Sequence, residues 1–375
     1  MTFMFPSSRK YCLIVLSMLL CVQSAFGVDP QAEPGGRGDY AKGPLFGKNL
    51  YIPYLIHYNF PSLPARSGEQ YDLRYHFSAY FVQDIHYVKN NPFPESGART
   101  YDKENIHRDY DSTVIEAGAA FNPLWNIQVG MDMRVIAYYA GFGDPIVEGF
   151  HGVFGFPNGG REYFLQNQIY INIPTKEGLS LFLDENTVSF GDIDLWSKMT
   201  FFEIPRLSLA LLGALKIPTG RLDALSGSGY PDAGFGLLSD IRAWWFLSLY
   251  VQAGMVLPPD VTSLPMFNGL AGVEIHPWDL FSINLQMNIK TSPIYDSKTY
   301  SQPQTNLLVG FTVRTKNRKG QDFNWQFYFE EDPFTYQGAD ITFNILFSHT
   351  LHNVRVRKTP PPAAALSVTM PPPPQ

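Results

Sequence analysis

The sequence has little cysteine, and both cysteines lie close to its start. Cys12 and Cys21 are the only two cysteines among 375 residues, and both fall in a segment that predicts an export signal. The remaining chain is therefore expected to have neither a disulfide nor a thiol nucleophile. This excludes a disulfide-stabilised fold and cysteine-based catalysis.

Long apolar runs are absent after residue 27, and charged residues are scarce. No later stretch reaches the roughly 18 apolar residues of a transmembrane helix, so a membrane location would require a closed barrel. Charged residues make up 17% of the chain and its net charge is −6, which gives no reason to expect nucleic acid as a partner. Aromatic residues reach 15%, as in proteins whose surface meets lipid at its edges.

The first 27 residues predict a cleavable signal peptide. Arg9 and Lys10 form a basic start, residues 11–22 form a short apolar run, and small residues precede a cut after Gly27. A lipoprotein with lipid attached to Cys21 is the alternative. Export of this kind predicts an outer-membrane location for a barrel.

Residues 28–70 are expected to precede the main fold. Residues 28–47 are rich in glycine and proline and predict a flexible lead-in. Asn49–Phe60 is apolar but interrupted by Pro53, which disfavours a central strand. Two placements stay open, a periplasmic lead-in and a hatch tucked into a barrel lumen.

From Tyr71 onward, apolar and polar residues alternate strictly, as the side chains of a strand do. The recurrence predicts an all-β transmembrane antiparallel β-barrel of about fourteen strands (12–16) over residues 71–349, with short periplasmic turns and longer extracellular loops. The predicted strands lie near 71–81, 111–121, 125–135, 163–173, 179–185, 191–202, 206–217, 232–243, 247–257, 268–276, 281–289, 304–314, 323–329 and 341–347.

Short and long links alternate between these strands, which supports the same architecture. The segment 179–185 is the weakest strand, but it is needed to keep the alternation in phase. An even number of strands would return both chain ends to the periplasm.

Almost all charges in these strands fall on one face, and Asp111 at a strand end is the exception. A Lys or Arg at the bilayer centre costs about 2–4 kcal/mol, so the uncharged face is assigned to lipid and the charged face to the lumen. These polar residues could line a passage or pair across strands and fill the barrel. The predicted lumen-lining residues are Arg74, Asp132, Arg134, Asp194, Lys198, Lys216, Asp240, Arg242, Glu274, Lys290 and Arg314.

A glycine-rich run at 157–161 lies in or beside a long predicted loop. Asn158, Arg161 and Glu162 are candidates for a loop that folds inward and narrows the lumen. The alternative is that the glycines permit tight turns and Arg161 begins a strand.

Motifs for catalysis and metal binding are missing. His76 and Ser78 share a strand face but lie roughly 6–7 Å apart, and Ser348 and His349 point to opposite faces. The eight histidines show no helical i, i+4 pair, so no metal site and no cofactor are expected. The sequence predicts that the protein is not an enzyme.

Residues 350–375 are rich in proline and predict a disordered tail. The tail is either passive or a tether for a periplasmic partner. The other expected partners are those of an exported barrel, namely outer-membrane lipid and the barrel-assembly machinery.

Three runs carry a resemblance to a known family: GPLFGKNLYIPYL at 43–55, FHGVFGFPNGGREYFLQNQ at 150–168 and LKIPTG at 215–220. They resemble an uncharacterised family of exported bacterial proteins (domain of unknown function 3187). The resemblance extends from about Gly43 to the last predicted strand. It implies an outer-membrane barrel and no established activity.

These observations favour a passive outer-membrane channel or solute transporter. A closed structural or surface-contact barrel is the second hypothesis, and a barrel lipid-modifying enzyme is the third. A soluble periplasmic β-protein is a further alternative, because alternation alone does not show which face meets water.

Overall fold

The computed structural model describes residues 40–87, 107–155, 166–174, 180–259, 264–293, 303–317, 321–332, 339, 341–352 and 354. The predicted signal peptide, the predicted constriction residues Asn158, Arg161 and Glu162, and almost all of the proline-rich tail lie outside these residues. Within the described residues no helix is both long and apolar enough to cross a membrane.

Strands dominate the described chain. A short 3-10 helix at Tyr54–Ile56 and an α-helix, α1, at Asp144–Phe154 accompany them. The strands are β1 Leu73–Tyr87, β2 His107–Leu124, β3 Ile127–Tyr139, β4 Tyr170–Pro174, β5 Ser180–Leu183, β6 Thr187–Phe190, β7 Ile193–Ile204, β8 Leu207–Ile217, β9 Asp232–Trp244, β10 Leu247–Leu257, β11 Met266–Ile275, β12 Phe281–Lys290, β13 Gln304–Lys316, β14 Asp322–Glu331 and β15 Ile341–Leu351.

Twelve strands close into an antiparallel barrel. β1 pairs with both β15 and β2, β2 pairs with β3, and β3 pairs with β7. From β7 to β15 each strand pairs with the next one along the chain. Closure leaves the wall without a free strand edge, and it confirms the predicted fold class.

The wall has twelve strands, which is fewer than the expected fourteen and at the lower limit of the predicted range of 12–16. The predicted strands near 163–173 and 179–185 overlap β4 and β5, which do not belong to the wall: β4 pairs with only His107–Asp109 of β2, and β5 pairs with β4. The four-residue β6 pairs with the end of β3. Alternation identifies a strand but not its partner, so the sequence pattern includes β4 and β5 among the strands of the barrel wall.

The links between wall strands alternate strictly in length. Those after β2, β7, β9, β11 and β13 are turns of a few residues, whereas the others are longer. The wall begins at Leu73 and ends at Leu351, and these residues pair with each other at the end with the short turns. We call this end of the barrel the turn end and the opposite end the loop end.

The two faces of the wall differ as the alternation predicts. The outward face is apolar: the side chains of Phe77 and Leu285, for example, are 53% and 51% exposed. Exposed Trp125, Trp244 and Trp278 lie at or beside the turn end. The inward face is polar, and its side chains are buried because residues 40–70 fill the space that they surround.

Residues 40–70, here called the inner segment, run inside the barrel. From Lys42 to Asn59 every residue is buried. Tyr51, Tyr54 and Leu55 join wall residues in a hydrophobic core. The core of this protein therefore lies between the inner segment and the wall.

Candidate functional site

The inner segment crosses the lumen twice. It starts at the turn end, where the backbone N–H groups of Lys42 and Gly43 donate to Glu274, beside the β11–β12 turn, at 2.9 and 3.2 Å. It reaches the loop end at Ile52, whose carbonyl accepts a hydrogen bond from Arg108. It returns to the turn end at Arg66, whose guanidinium donates to the carbonyl of Pro205 at 3.0 Å.

Wall side chains bind the backbone of the outgoing half of the inner segment, which runs from the turn end to the loop end. Gln326 accepts from the N–H of Phe46 at 3.0 Å and donates to the carbonyl of Pro44 at 3.1 Å. The hydroxyl of Tyr110 accepts from the N–H of Ile52 at 3.1 Å. A buried backbone polar group without a partner is costly, so these contacts let an irregular segment lie inside the barrel.

The returning half of the inner segment is bound in the same way. Asp232 accepts from the N–H of Tyr58 at 2.7 Å, and Asp240 accepts from the N–H groups of Ala65 and Arg66. Lys198 donates to the carbonyls of Pro64 and Arg66 at 2.6 and 2.7 Å. Charged lumen residues thus act here as partners of a peptide.

Lys48 lies at the centre of an ionic cluster in the lumen. Its Nζ atom is 2.8 Å from Glu116 Oε2, 2.9 Å from Asp132 Oδ2 and 3.9 Å from Asp194 Oδ2. Arg134 pairs with Asp194 at 2.7 Å. All these side chains are at most 1% exposed, so the cluster is shielded from bulk water.

Lys48 is the cation that the inner segment supplies to this cluster. Its ammonium group lies close enough to Glu116, Asp132 and Asp194 to attract all three carboxylates. Lys48 is therefore the ion-pair partner of Glu116 and Asp132 from the inner segment, and it shares Asp194 with Arg134 of the wall.

A second ionic cluster lies nearer the loop end. Lys216 Nζ is 2.8 Å from Asp192 and 3.4 Å from Asp232, and it donates to the carbonyl of Ile56 at 2.7 Å. His57 Nδ1 is 3.4 Å from Asp232. Here the cation belongs to the wall and the inner segment supplies backbone and imidazole groups.

Aromatic side chains of the inner segment also pack against the wall and help to fill the lumen. Phe60 packs over a part of the wall without side chains: a Cβ added at Gly234 or Gly254 would lie within 2.9 or 3.0 Å of its ring. Lys290 donates to Asn59 and lies 5.0 Å from the ring centre of Tyr54, a cation–π distance. Beside Phe60 and Lys290 a cavity of about 40 Å³ remains, which has room for a few water molecules only.

The predicted lumen-lining residues are placed as follows. Those buried in the lumen are Asp132, Arg134, Asp194, Lys198, Lys216, Glu274 and Lys290, whereas those half-buried are Arg74, Asp240, Arg242 and Arg314. The half-buried four lie in the parts of β1, β9 and β13 next to the turn end. Whether any of them lines a passage stays a prediction.

The sequence prediction missed Lys48, Glu116, Asp192 and Asp232. The three carboxylates stand at even positions within predicted strands, so the same alternation could have included them. Lys48 could not be found in this way, because it lies outside the alternating region and its partners are 68 and more positions away along the chain.

A Ser–His pair lies close to the turn end, where the sequence did not predict one. Ser248 Oγ and His276 Nε2 are 2.8 Å apart. Among the described residues His276 Nδ1 has no hydrogen-bond partner, so none of their carboxylates orients the ring. Burial, aided by repulsion from Lys42, lowers the pKa of His276 to about 4, which makes it a poor general base at neutral pH. Both side chains are buried, and the pair lacks the features of a catalytic site.

Residues 95–350 match the model of a family described as "Protein of unknown function (DUF3187)". The match includes the runs at 150–168 and 215–220 and excludes 43–55, so it begins later than the resemblance seen in the sequence. No curated protein matches the chain.

Solved β-barrel structures resemble the chain at very low identity. An outer-membrane channel from Pseudomonas putida F1 is 7% identical, with 76% of this chain and 97% of that chain covered at a TM-score of 0.48. A FadL homologue from Pseudomonas aeruginosa is 9% identical, with 75% and 89% covered at a TM-score of 0.35. The translocator domain of autotransporter NalP from Neisseria meningitidis is 9% identical, with 76% and 89% covered at a TM-score of 0.36. The architecture of this chain is established by its own strand pairing.

Proposed function

This chain belongs to the family of proteins of unknown function DUF3187, and from that premise we propose that it is an outer-membrane solute channel closed by its own inner segment. The observation that carries the proposal is the occupied lumen. The barrel interior holds a continuous peptide through hydrogen bonds, ion pairs and apolar packing, so the peptide can leave without a covalent step.

The apolar outer face supports the membrane location. Water would disfavour so many exposed Phe, Leu, Ile and Val side chains on a soluble protein, whereas lipid favours them. The tryptophans at the turn end correspond to the aromatic girdle of membrane barrels. Because the turns at this end are short, as periplasmic turns are in membrane barrels, the turn end faces the periplasm.

The lipid-facing surface can be tested with a matched pair of substitutions. Leu285→Arg, in the middle of β12, is expected to lower the free energy of unfolding by about 2–4 kcal/mol in lipid vesicles, because the charge would lie near the bilayer centre. Leu280→Arg, in the turn before β12, is expected to cost about 0–1 kcal/mol. Urea unfolding of both variants measures the difference. Equal costs would show that the outer face does not meet hydrocarbon.

The size and polarity of the wall support a channel. Barrels of about eight strands are filled by their own wall side chains, whereas this twelve-stranded barrel encloses an additional peptide of about thirty residues. Removal of that peptide would leave a water-filled passage lined by charged and amide side chains. Transport therefore requires the inner segment to move.

A closed structural barrel is the second candidate, and the small remaining cavity favours it. Solute flux into liposomes separates the two functions. A channel is expected to let small neutral and charged solutes enter vesicles that contain the purified wild-type protein, at a rate above protein-free vesicles. Vesicles that hold folded protein and admit no solute would contradict the channel and favour the structural role.

A further inference from the structure

We propose that His76, Glu116 and Asp132 form a binding site for one zinc ion inside the barrel. His76 lies on β1, Glu116 on β2 and Asp132 on β3, and each offers one ligand atom to the same point of the lumen. These three ligand atoms lie within 4.8 Å of one another. All three side chains are more than nine-tenths buried.

Both distances from His76 are close to those around a tetrahedral ion. His76 Nε2 is 3.5 Å from Asp132 Oδ1 and 3.7 Å from Glu116 Oε1. Zinc bonds of about 2.0–2.2 Å to nitrogen and oxygen place the ligand atoms of a tetrahedron about 3.3–3.6 Å apart. One histidine and two carboxylates are ligand types that zinc accepts, and a water molecule would take the fourth position.

In the described structure the three ligand atoms approach one another to ion-pair distance without forming a hydrogen bond. His76 Nε2, Glu116 Oε1 and Asp132 Oδ1 are buried and have no hydrogen-bond partner. Buried polar atoms normally have one, so three such atoms around one point indicate that something polar belongs between them.

Gly118 clears the space for the site. In the strand register Gly118 stands between His76 and Asp132, in one row across β1, β2 and β3. A Cβ at this position would lie 2.2 Å from Asp132 Oδ1 and 2.3 Å from His76 Cε1. Only glycine lets the imidazole and the carboxylate approach each other over β2.

Neighbouring groups orient the ligands as the outer groups of metal sites do. The second oxygen of each carboxylate accepts a hydrogen bond from Lys48, at 2.8 Å for Glu116 and 2.9 Å for Asp132. The ring of Phe46 packs on the imidazole of His76 with 4.7 Å between centroids. Phe46 and Lys48 belong to the inner segment, so the site is complete only when that segment is in the lumen.

The local charge also attracts a cation. Lys48 and Arg134 supply two positive charges, whereas Glu116, Asp132 and Asp194 supply three negative charges. A proton on His76 is the competing occupant. Spacing along the chain could not reveal the site, because its residues come from three strands and meet only across the sheet.

Zinc stoichiometry of the folded barrel tests the proposal. The full chain is refolded in detergent with Zn²⁺, dialysed, and analysed for bound metal, with heat-modifiable gel mobility as the control for folding. We expect one zinc per wild-type chain and at least tenfold weaker binding in His76→Gln and in Gly118→Ala. His352→Gln is the matched control, because His352 lies in a separate group with Glu69 and Asp72 at the turn end, and it should bind zinc as the wild type does.

Three results would overturn the site. The first is a folded wild-type chain without bound zinc, which would assign the position to a proton on His76. The second is equal zinc binding by the wild type, His76→Gln and Gly118→Ala. The third is loss of the zinc in His352→Gln alone. The site does not depend on the proposed channel, since zinc binding is measured without transport.

Discussion

Replacing Lys48 with methionine is expected to release the inner segment and open the barrel. Methionine keeps the length of the side chain but leaves Arg134, which pairs with Asp194, as the remaining lysine or arginine of this cluster, so Glu116 and Asp132 lose their ammonium partner. Removing one partner of a buried ion pair costs about 3–5 kcal/mol. This penalty disappears when the segment leaves, because water then enters the lumen and solvates the carboxylates. The closed state therefore loses stability relative to the open state.

Planar-bilayer recording measures the effect of Lys48→Met directly. We expect the open probability to rise by a factor of about 100 or more, since about 3–5 kcal/mol corresponds to at least that ratio of populations. Lys316→Met is the matched control, because Lys316 is exposed at the turn end, away from the lumen. If the Lys48→Met barrel is folded and its open probability equals that of the wild type, this ion pair does not hold the inner segment in the lumen.

Combining Lys48→Met with a second substitution tests whether loss of the Lys48–Glu116 ion pair causes the opening. Glu116→Gln removes one of the carboxylates that Lys48 neutralises, so Lys48→Met together with Glu116→Gln should open less often than Lys48→Met alone. A double-mutant cycle isolates the interaction between the two residues. If the effects of the two substitutions on the free energy of opening are additive, a direct pairing of Lys48 with Glu116 is contradicted.

Deleting residues 43–69 is expected to give a permanently conducting barrel. Among the described residues the inner segment forms no strand and pairs with no wall strand, so the barrel should still close when the inner segment is absent. Its lumen would then hold water in place of peptide. Planar-bilayer recordings of the deletion variant should therefore show long-lived current steps, whereas the wild type should show brief openings.

A deletion of the same kind at the other end is the control. Removal of residues 355–375 shortens the chain but leaves the inner segment in place, and its conductance should equal that of the wild type. Heat-modifiable gel mobility establishes that the barrel has folded. A folded 43–69 deletion without conductance would mean that the wall closes the lumen by itself, which contradicts the proposed passage.

The strand pattern could be predicted from the sequence because it depends on neighbouring residues only. Alternation along β12, for instance, separates Leu285 from Gln286 without any knowledge of the partner strand. Partner choice is different. β4 and β5 alternate well enough to resemble wall strands, but they pair at the loop end outside the wall, and no local pattern records that.

The path of the inner segment could not be chosen from the sequence for a similar reason. Asn49–Phe60 is apolar enough for two placements, and its position depends on partners far along the chain. Tyr58 meets Asp232, which lies 174 positions away, and Phe46 meets Gln326, which lies 280 positions away. The alternation therefore assigns the charges of the strands to the lumen without deciding whether the lumen is open or filled, and in the structure several of them bind peptide.

Thiol labelling inside the barrel tests the central claim most directly. A chain that begins at Val28 contains no cysteine, so Ser62→Cys, buried in the inner segment, and Glu185→Cys, exposed at the loop end, each introduce a single thiol. In folded protein a bulky, water-soluble maleimide should modify Cys at position 185 rapidly and at position 62 slowly, and adding Lys48→Met should speed only the second reaction. Equally fast labelling at both positions in the wild-type background would contradict an inner segment that fills the lumen.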